Sequence, residues 1–371
     1  MQSKIKTIDL TLLVVPIIFL SISVAVIYSL VMGTNLDGYG LKQGVFVLVG
    51  LVIMIAISLL DYRYFRGTAW VFYIISIILL VFVELFGKSV NGAMNWIDLK
   101  VFQLQPSEVA KIFVIITLAT YFGKRIGKLR WLDIIASLCI VLVPLVLILR
   151  EPDLGTAIVI CFIFFIMLLS SKPTKSQLAI IFGCVALAVT VCALAYLNIA
   201  PLGKLFKDYQ RERISVFLDP DRDPYGRGYN VKQAQITIGS GGITGRGLGK
   251  GPQSQLQFLP EPHTDFIFAG IAESFGFAGS LLIIVLYSYF LIHLYNIASI
   301  ARDNFGMLSA IGIAAMFGFQ VVISIGMNLG LLPVTGIPLP LLSYGGTSLF
   351  ISMFSIGFAQ SIFIRHKKIA F

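Results

Sequence analysis

The sequence contains few charged residues. Asp, Glu, Lys and Arg make up 12% of its 371 residues, whereas soluble domains average about 25%. Cysteine is also scarce, and Cys139, Cys161, Cys184 and Cys192 all lie inside apolar runs. This placement argues against an extracellular disulfide framework and predicts cysteines that act as small buried apolar residues. No spacing of His and Cys suits a zinc site.

Apolar residues are abundant instead. They form 57% of the chain, or roughly 211 residues, and the mean hydropathy is +0.92. One membrane span needs about 20 residues, so this composition can supply about ten spans. It excludes cytosolic enzymes, disordered scaffolds and nucleic-acid binders. The net charge of +10 is therefore interpreted as Lys and Arg on the cytoplasmic side of a membrane protein, and nucleic acid is not expected as a partner.

The apolar stretches predict an all-α polytopic membrane protein with about ten transmembrane helices, in a single domain over residues 1–371. They lie near residues 10–32, 43–60, 69–87, 107–122, 132–149, 155–170, 177–199, 265–296, 306–328 and 343–364. The polar stretch at about 200–263 predicts one large extracytoplasmic loop. The eighth stretch is unusually long and contains Gly276 and Gly279, which predicts a bent or tilted helix, or a first turn outside the hydrocarbon.

The connections between these stretches alternate in charge. Basic residues are concentrated in every second connection: Lys4 and Lys6, Arg63 and Arg66, Lys124 to Arg130, Lys172 and Lys175, Arg302, and Arg365 to Lys368. Lys and Arg accumulate on the cytoplasmic side of membrane proteins, so both termini are predicted to be cytoplasmic and the long loop to face outward.

Ionisable residues at membrane depth are candidates for function. Glu108 and Lys111, in QPSEVAK, are three positions apart and share a helix face. They form either an ion pair that locks this helix to its neighbours or a direct contact with substrate. Arg150 and Asp153, in REPDLGTA, lie where the fifth span ends. Asp153 either only caps the next helix or, with Arg150, faces a cavity.

A third group leads out of the long loop. In FLPEPHTDFIFAGIAE, Glu261, His263 and Asp265 come directly before an apolar run. Asp265 is either an ordinary residue at a helix start or a carboxylate at the mouth of the bundle. Glu273 lies roughly 12 Å further along the helix, and its partner is left open. Glu261 and His263 are predicted to bind substrate, although a lone histidine is more often structural than catalytic.

Residues 328–348 cannot form a regular helix, because they contain three prolines and four glycines. Irregular backbone at membrane depth must be buried in protein or line a wet cavity, so this segment is expected to form one wall of the site. Ser343 and Tyr344 in it are predicted to bind substrate. The glycine-rich run at 239–251 fits no nucleotide motif and is interpreted as a turn-rich loop.

Taken together, the motifs closely resemble the SEDS family of shape, elongation, division and sporulation proteins. The resemblance rests on QPSEVAK, REPDLGTA, FLDPDRDPYGRGY, QITIGSGGITGRGLG, FLPEPHTDFIFAGIAE and GLLPVTGIPLPLLSYGGTS, in this order and between spans. Nearly the whole chain is covered. SQLQFLPE and LPVTGIPLPLLSYGG are more similar to elongation members than to division members.

The resemblance implies a peptidoglycan glycosyltransferase of the bacterial cytoplasmic membrane. Such an enzyme polymerises lipid II, a disaccharide peptide on polyprenyl diphosphate, beside a class B penicillin-binding protein that crosslinks the strands. The essential carboxylate of the family maps onto Asp265, and its polar cavity residues map onto Glu108, Lys111 and Asp153. Asn95 and Gln103 stand where many relatives have arginine, which leaves open the cations that hold the diphosphate.

The expected chemistry needs one base. Asp265 takes the proton of the acceptor 4-hydroxyl, and the diphosphate departs with inversion at the anomeric carbon. Candidate groups for its negative charge are Lys111, Arg150, Arg213 and Arg246, with or without Mg²⁺ or Mn²⁺. No cofactor is fixed by the sequence. A lipid II transporter is the main alternative function, and a scaffold for the crosslinking partner is a third.

Overall fold

Apolar helices form the body of the protein, which we describe from a computed structural model. It describes residues 8–33, 36, 38–90, 93–100, 102–196 and 215–366. In these ranges, eight helices are long and apolar enough to cross a membrane, and two further apolar helices are shorter. The prediction of an all-α membrane protein with about ten spans is confirmed.

The helices are named here in chain order. They are α1 (Thr11–Val31), α2 (Tyr39–Leu59), α3 (Tyr62–Phe86), α4 (Pro106–Gly123), α5 (Trp131–Arg150), α6 (Leu154–Ser170), α7 (Lys175–Tyr196), α8 (Arg227–Ser240), α9 (Pro252–Gln255), α10 (Ile267–Ile300), α11 (Asn304–Asn328) and α12 (Gly346–Ile364).

Helix α4 lies at the centre of the bundle. It packs against α3, α6, α11 and α12. Of its 18-residue apolar stretch, 78% is buried inside the protein. Its side chains are apolar around most of the helix, which is typical of a helix surrounded by others. Pro106 stands in its first turn, where a missing N–H costs nothing. The helix that carries Glu108 and Lys111 is therefore held from several sides.

A small antiparallel sheet precedes α4. Its strands are β1 (Lys88–Val90), β2 (Ala93–Asp98) and β3 (Gln103–Leu104), in the order β1-β2-β3. The hydroxyl of Thr347, in the first turn of α12, donates to the carbonyl oxygen of Gln103 and accepts from the N–H of Gln105. The sheet therefore fixes the entry to α4 against the start of α12.

The long loop predicted at 200–263 contains secondary structure. Its described part, from residue 215 onward, includes a 3₁₀ turn (Pro220–Arg222) and the helices α8 and α9. Helix α8 packs along α10. Arg213, one of the predicted cation sites, lies outside the described residues.

Helix α10 is bent at Gly276, which confirms the bend expected for this stretch. Gly276 has φ of 68°, a conformation that glycine adopts without a steric penalty. The main chain of the glycine-rich run fills the bend: the N–H of Arg246 donates to the carbonyl of Glu273 at 2.8 Å, and the N–H of Phe277 donates to the carbonyl of Gly242 at 2.8 Å. The main-chain groups of α10 that lose their helical partners at the bend thus form hydrogen bonds with the loop instead.

Candidate active site

Asp265 lies two residues before α10 and is half-buried. Its carboxylate faces Gly336 of the irregular segment, because a Cβ added to Gly336 would stand 3.7 Å from Asp265 Oδ2. Gly336 has φ of 75°, a backbone conformation that glycine adopts without a steric penalty.

The segment around Gly336 also touches the start of α6. A Cβ added to Gly155 would stand 2.9 Å from the carbonyl oxygen of Thr335 and 2.9 Å from Ile337 Cγ1. No regular helix or strand forms from Leu329 to Gly345, as predicted. This segment therefore lies between Asp265 on one side and the REPDLGTA motif on the other.

Asp153 connects α6 to α4. Its Oδ1 accepts from the N–H of Thr156 at 3.0 Å, which caps α6. Its Oδ2 accepts from Gln105 Nε2 at 3.2 Å and from Ser107 Oγ at 3.0 Å. The predicted cap is present, and the second oxygen also joins this motif to QPSEVAK.

Glu108 and Lys111 form the predicted ion pair. Lys111 Nζ lies 2.6 Å from Glu108 Oε1, and the two side chains are 1% and 4% exposed. Since each charge would be costly alone in this environment, each is the reason that the other is tolerated. The pair matches the structural alternative from the sequence, and a contact with substrate stays a prediction.

The cations predicted for the diphosphate have other contacts. Arg150 Nη1 lies 3.4 Å from Glu84 Oε1, and its side chain is 64% exposed. Arg246 Nε donates to the carbonyl oxygen of Ser240 at 2.7 Å. These contacts hold Arg150 beside α3 and Arg246 on the loop, so their binding of a diphosphate stays a prediction.

His263 is buried beside two tyrosines. Its ring makes edge contacts with Tyr39 and Tyr344, at centroid distances of 5.5 and 5.6 Å. His263 Nε2 lies 3.8 Å from Oε2 of the exposed Glu261. Burial lowers the pKa of His263, against an opposing effect of Glu261. The imidazole is therefore neutral near pH 7.

Ser343 and Tyr344 hold the irregular segment against the residues before α10. Ser343 Oγ donates to the carbonyl oxygen of Thr264 at 2.7 Å and accepts from the N–H of Leu339 at 2.9 Å. The N–H of Tyr344 donates to the carbonyl oxygen of His263 at 2.8 Å. Both residues fix main chain beside Asp265, and substrate contact by either stays a prediction.

Glu273 anchors the loop on α10, and the sequence left its partner open. Its Oε1 accepts from the N–H of Gln253 at 2.9 Å, and its Oε2 accepts from the N–H of Ser254 at 3.2 Å and from the Ser254 hydroxyl. The carboxylate thereby satisfies free N–H groups at the start of α9.

Sequence reasoning missed two further buried polar residues near the site. Asn328 Nδ2 donates to the carbonyl oxygen of Asp265 at 3.0 Å. Glu151 is 3% exposed, and neither carboxylate oxygen has a hydrogen-bond partner among the described residues. Both residues are polar and lie at the ends of apolar runs, and this position is the sequence feature that could have identified them.

The described residues do not form a divalent metal site by themselves. Across the described ranges, no three Asp, Glu, His or Cys side chains are grouped so that they could hold a metal ion. Binding of Mg²⁺ or Mn²⁺ together with the diphosphate of the substrate stays a prediction, and the reaction below does not depend on it.

The whole chain was compared with known proteins. The profile of the family described as cell cycle proteins, FtsW, RodA and SpoVE, matches residues 6–368. The chain belongs to this family. Membership in the FtsW, RodA and SpoVE family confirms the resemblance found in the motifs.

Two relatives within the family show how far the similarity extends. The chain is 38% identical to the peptidoglycan glycosyltransferase MrdB of Escherichia coli (strain K12), over 98% of this chain and 95% of the relative. It is 34% identical to the peptidoglycan glycosyltransferase RodA of Treponema pallidum (strain Nichols), over 96% of this chain and 98% of the relative.

Solved structures of family members have the same fold. A chain of a peptidoglycan synthase complex, solved to describe how polymerization and crosslinking are coordinated, superposes with a TM-score of 0.82 at 31% identity, over 97% of this chain and 98% of that one. Thermus thermophilus RodA superposes with a TM-score of 0.70 at 26% identity, over 96% of each chain.

Proposed function

We propose that Asp265 is the general base of a lipid II polymerase that works at the outer face of the bacterial cytoplasmic membrane, with both termini in the cytoplasm. The chain is a multi-pass membrane protein and a peptidoglycan glycosyltransferase, by its similarity to such enzymes over nearly its whole length. The orientation is supported by the basic residues in alternate connections.

One observation carries the assignment of the base. Gly336 of the irregular segment faces the carboxylate of Asp265, and the residues on either side of Gly336 pack on Gly155 of the REPDLGTA motif. Asp153 of that motif bonds in turn to Gln105 and Ser107 of QPSEVAK. The segment that faces Asp265 is thus joined by contacts to the other two polar motifs, which supports a site at this carboxylate rather than a simple helix start.

The reaction follows from this placement. The carboxylate of Asp265 accepts the proton of the acceptor 4-hydroxyl, and the hydroxyl oxygen attacks the anomeric carbon of the donor sugar. The bond from that carbon to the diphosphate breaks, and the polyprenyl diphosphate leaves with the bonding electron pair. Attack opposite the leaving group inverts the anomeric carbon, so no second, nucleophilic carboxylate is needed. The partner is a class B penicillin-binding protein, supported by the synthase complex in which a similar chain is found.

The test uses purified protein with its transpeptidase partner in detergent, supplied with labelled lipid II. Wild-type protein is expected to form glycan chains, and Asp265→Asn is expected to lose 10²-fold or more of the rate, roughly the contribution of a general base. Asp221→Asn is the matched control, because this aspartate of the same loop is 80% exposed.

The same assay separates the rival functions. In detergent there are no two compartments, so a lipid II transporter would form no polymer. Polymer from the wild type and none from Asp265→Asn supports the proposed mechanism, and equal polymer from both removes Asp265 from it. A scaffold for the crosslinking partner would keep full function in cells carrying Asp265→Asn.

A further inference from the structure

A cavity of about 330 Å³ lies beside the residues that lead into Asp265. The end of α1 forms one wall, and Leu259, Pro260 and Pro262 of the loop form another. This volume is at the lower end of the range for small-molecule sites, about 300 to 1,000 Å³, and such sites combine apolar walls with a few polar groups. The cavity is therefore large enough for a sugar ring and too small for a polyprenyl chain.

Two polar groups of this cavity are spaced to hold a hydroxyl. His263 Nε2 and Glu261 Oε2 are 3.8 Å apart, which is too long for a direct hydrogen bond. His263 Nδ1 is buried and has no partner among the described residues, so the proton of the neutral ring is assigned to Nε2. An oxygen between the two groups can accept from His263 and donate to Glu261.

The ring of His263 is held in place for this role. It is 5% exposed, it touches Tyr39 and Tyr344 edge-on, and its own carbonyl accepts from the N–H of Tyr344. A ring fixed on these sides presents Nε2 in one direction, so binding costs little side-chain entropy.

The loop backbone is strained at the same place. Gln257 and Glu261, which both line the cavity, have φ of 57° and 47°. Such values are uncommon for residues other than glycine, and strain of this kind gathers at binding and active sites.

The charged side chains that line the cavity indicate which class of ligand it can bind. No Lys or Arg stands among the described residues that line it, and the one charged group is the carboxylate of Glu261. Diphosphate recognition relies on cations, so the leaving group of the donor does not fit here. A neutral, hydroxyl-bearing saccharide fits both the polar pair and the apolar walls.

We propose that this cavity binds the acceptor saccharide of the polymerase, with a sugar hydroxyl held between His263 and Glu261. The inference rests on the proposed function, since Asp265 must then reach the 4-hydroxyl of the bound sugar. His263 and Asp265 are two positions apart, so their Cα atoms are within about 7 Å. Asp265 does not itself line the cavity, so the bound saccharide extends from the cavity toward the carboxylate.

The experiment measures binding and catalysis separately, on the full chain with its transpeptidase partner in detergent. The probe is a lipid-free trisaccharide of β-1,4-linked N-acetylglucosamine, followed by saturation-transfer NMR. The wild type is expected to bind it, and Asp265→Asn is expected to retain binding, because asparagine still offers an oxygen that accepts from the 4-hydroxyl. His263→Phe, which keeps an aromatic ring between the tyrosines, is expected to bind about tenfold more weakly, the effect of one lost hydrogen bond. His293→Phe, on the far part of α10, is the control and is expected to bind as the wild type does.

A second variant covers the case in which His263→Phe unfolds, which is checked by its melting temperature. Gln257→Trp places a large ring in the cavity from an exposed position, and loss of trisaccharide binding is expected. The proposal is overturned if the wild type binds no trisaccharide, if the folded variants bind it as the wild type does, or if inorganic pyrophosphate displaces it. Full polymerisation by Asp265→Asn would instead refute the general base and leave the binding result intact.

Discussion

The side chain of Asn328 holds the main chain of Asp265. Its amide nitrogen donates to the carbonyl oxygen of Asp265 at 3.0 Å, and its amide oxygen accepts from the N–H of Ala269 at 3.1 Å. Asn328 is fully buried at the end of α11. The side-chain amide of Asn328 therefore joins the end of α11 to two main-chain groups, one just before α10 and one in its first turn.

We expect Asn328→Leu to lower both stability and catalysis. The change removes the hydrogen bonds of the amide group to the carbonyl oxygen of Asp265 and to the N–H of Ala269, at a cost of about 1 to 3 kcal/mol, and releases the backbone that carries the base. The rate of polymerisation at saturating lipid II and the free energy of unfolding are the measurements. Gln360→Leu is the control, because neither amide atom of this buried residue has a partner in the described structure. Unchanged values for Asn328→Leu would contradict a positioning role.

The ion pair of Glu108 and Lys111 predicts a different pattern. Glu108→Gln and Lys111→Met each leave one buried charge without its partner, which is expected to cost about 3 to 5 kcal/mol. The double variant removes both charges and is expected to recover most of that loss. Thermal unfolding measures stability, and polymerisation is measured on the same samples.

The double variant also decides between the two alternatives for this pair. If the pair only locks α4 in the bundle, polymerisation should recover together with stability. If Glu108 or Lys111 contacts the substrate, a stable double variant should remain inactive. A double variant no more stable than either single one would contradict mutual stabilisation of the two charges.

Features encoded by local spacing were predictable. The lengths of the apolar runs predict the ten apolar helices. The spacing of three positions between Glu108 and Lys111 predicts their ion pair. The prolines after Leu329 predict the segment without regular secondary structure. Asp153 was predicted as a cap because a carboxylate directly before an apolar run accepts from the first helical N–H groups.

Contacts between distant segments were not predictable in the same way. The partners of Glu273 come from a loop about twenty positions away, and nothing local specifies them. The strands before α4 are short and follow no alternating pattern long enough to detect. The cations expected around the diphosphate were chosen by charge alone, and charge does not determine whether Arg150 turns toward Glu84 or toward a substrate.

The bend at Gly276 is expected to tolerate no side chain. A Cβ there would lie 2.3 Å from the N of Gly245 and 2.5 Å from the carbonyl oxygen of Ile243, and both are main-chain atoms that cannot rotate away. Gly276→Ala should displace the glycine-rich run from α10, lower the melting temperature and expose the loop to limited proteolysis. Gly239→Ala in α8 is the matched control, because nothing lies within 4 Å of its added Cβ. Equal cleavage of the two variants would contradict this role of the bend.

Glu151 is expected to make stability depend on pH. Burial, followed by the charges of Asp153 and Glu84, raises the pKa of Glu151 from an ordinary value of 4.5 to about 8. The folded protein therefore keeps this proton after the unfolded chain has lost it, between pH 4.5 and about 8. The contribution of Glu151 to stability is fully present below this window and is lost as the pH rises through it.

Glu151→Gln isolates the effect, because glutamine resembles the protonated acid and does not titrate. The variant should match the wild type at pH 4.5 and become more stable than it as the pH approaches 8, by on the order of 3 kcal/mol. Free energies of unfolding across this range, on both proteins in the same detergent, are the measurement. A stability difference that stays constant with pH would mean that Glu151 does not hold its proton in the folded state.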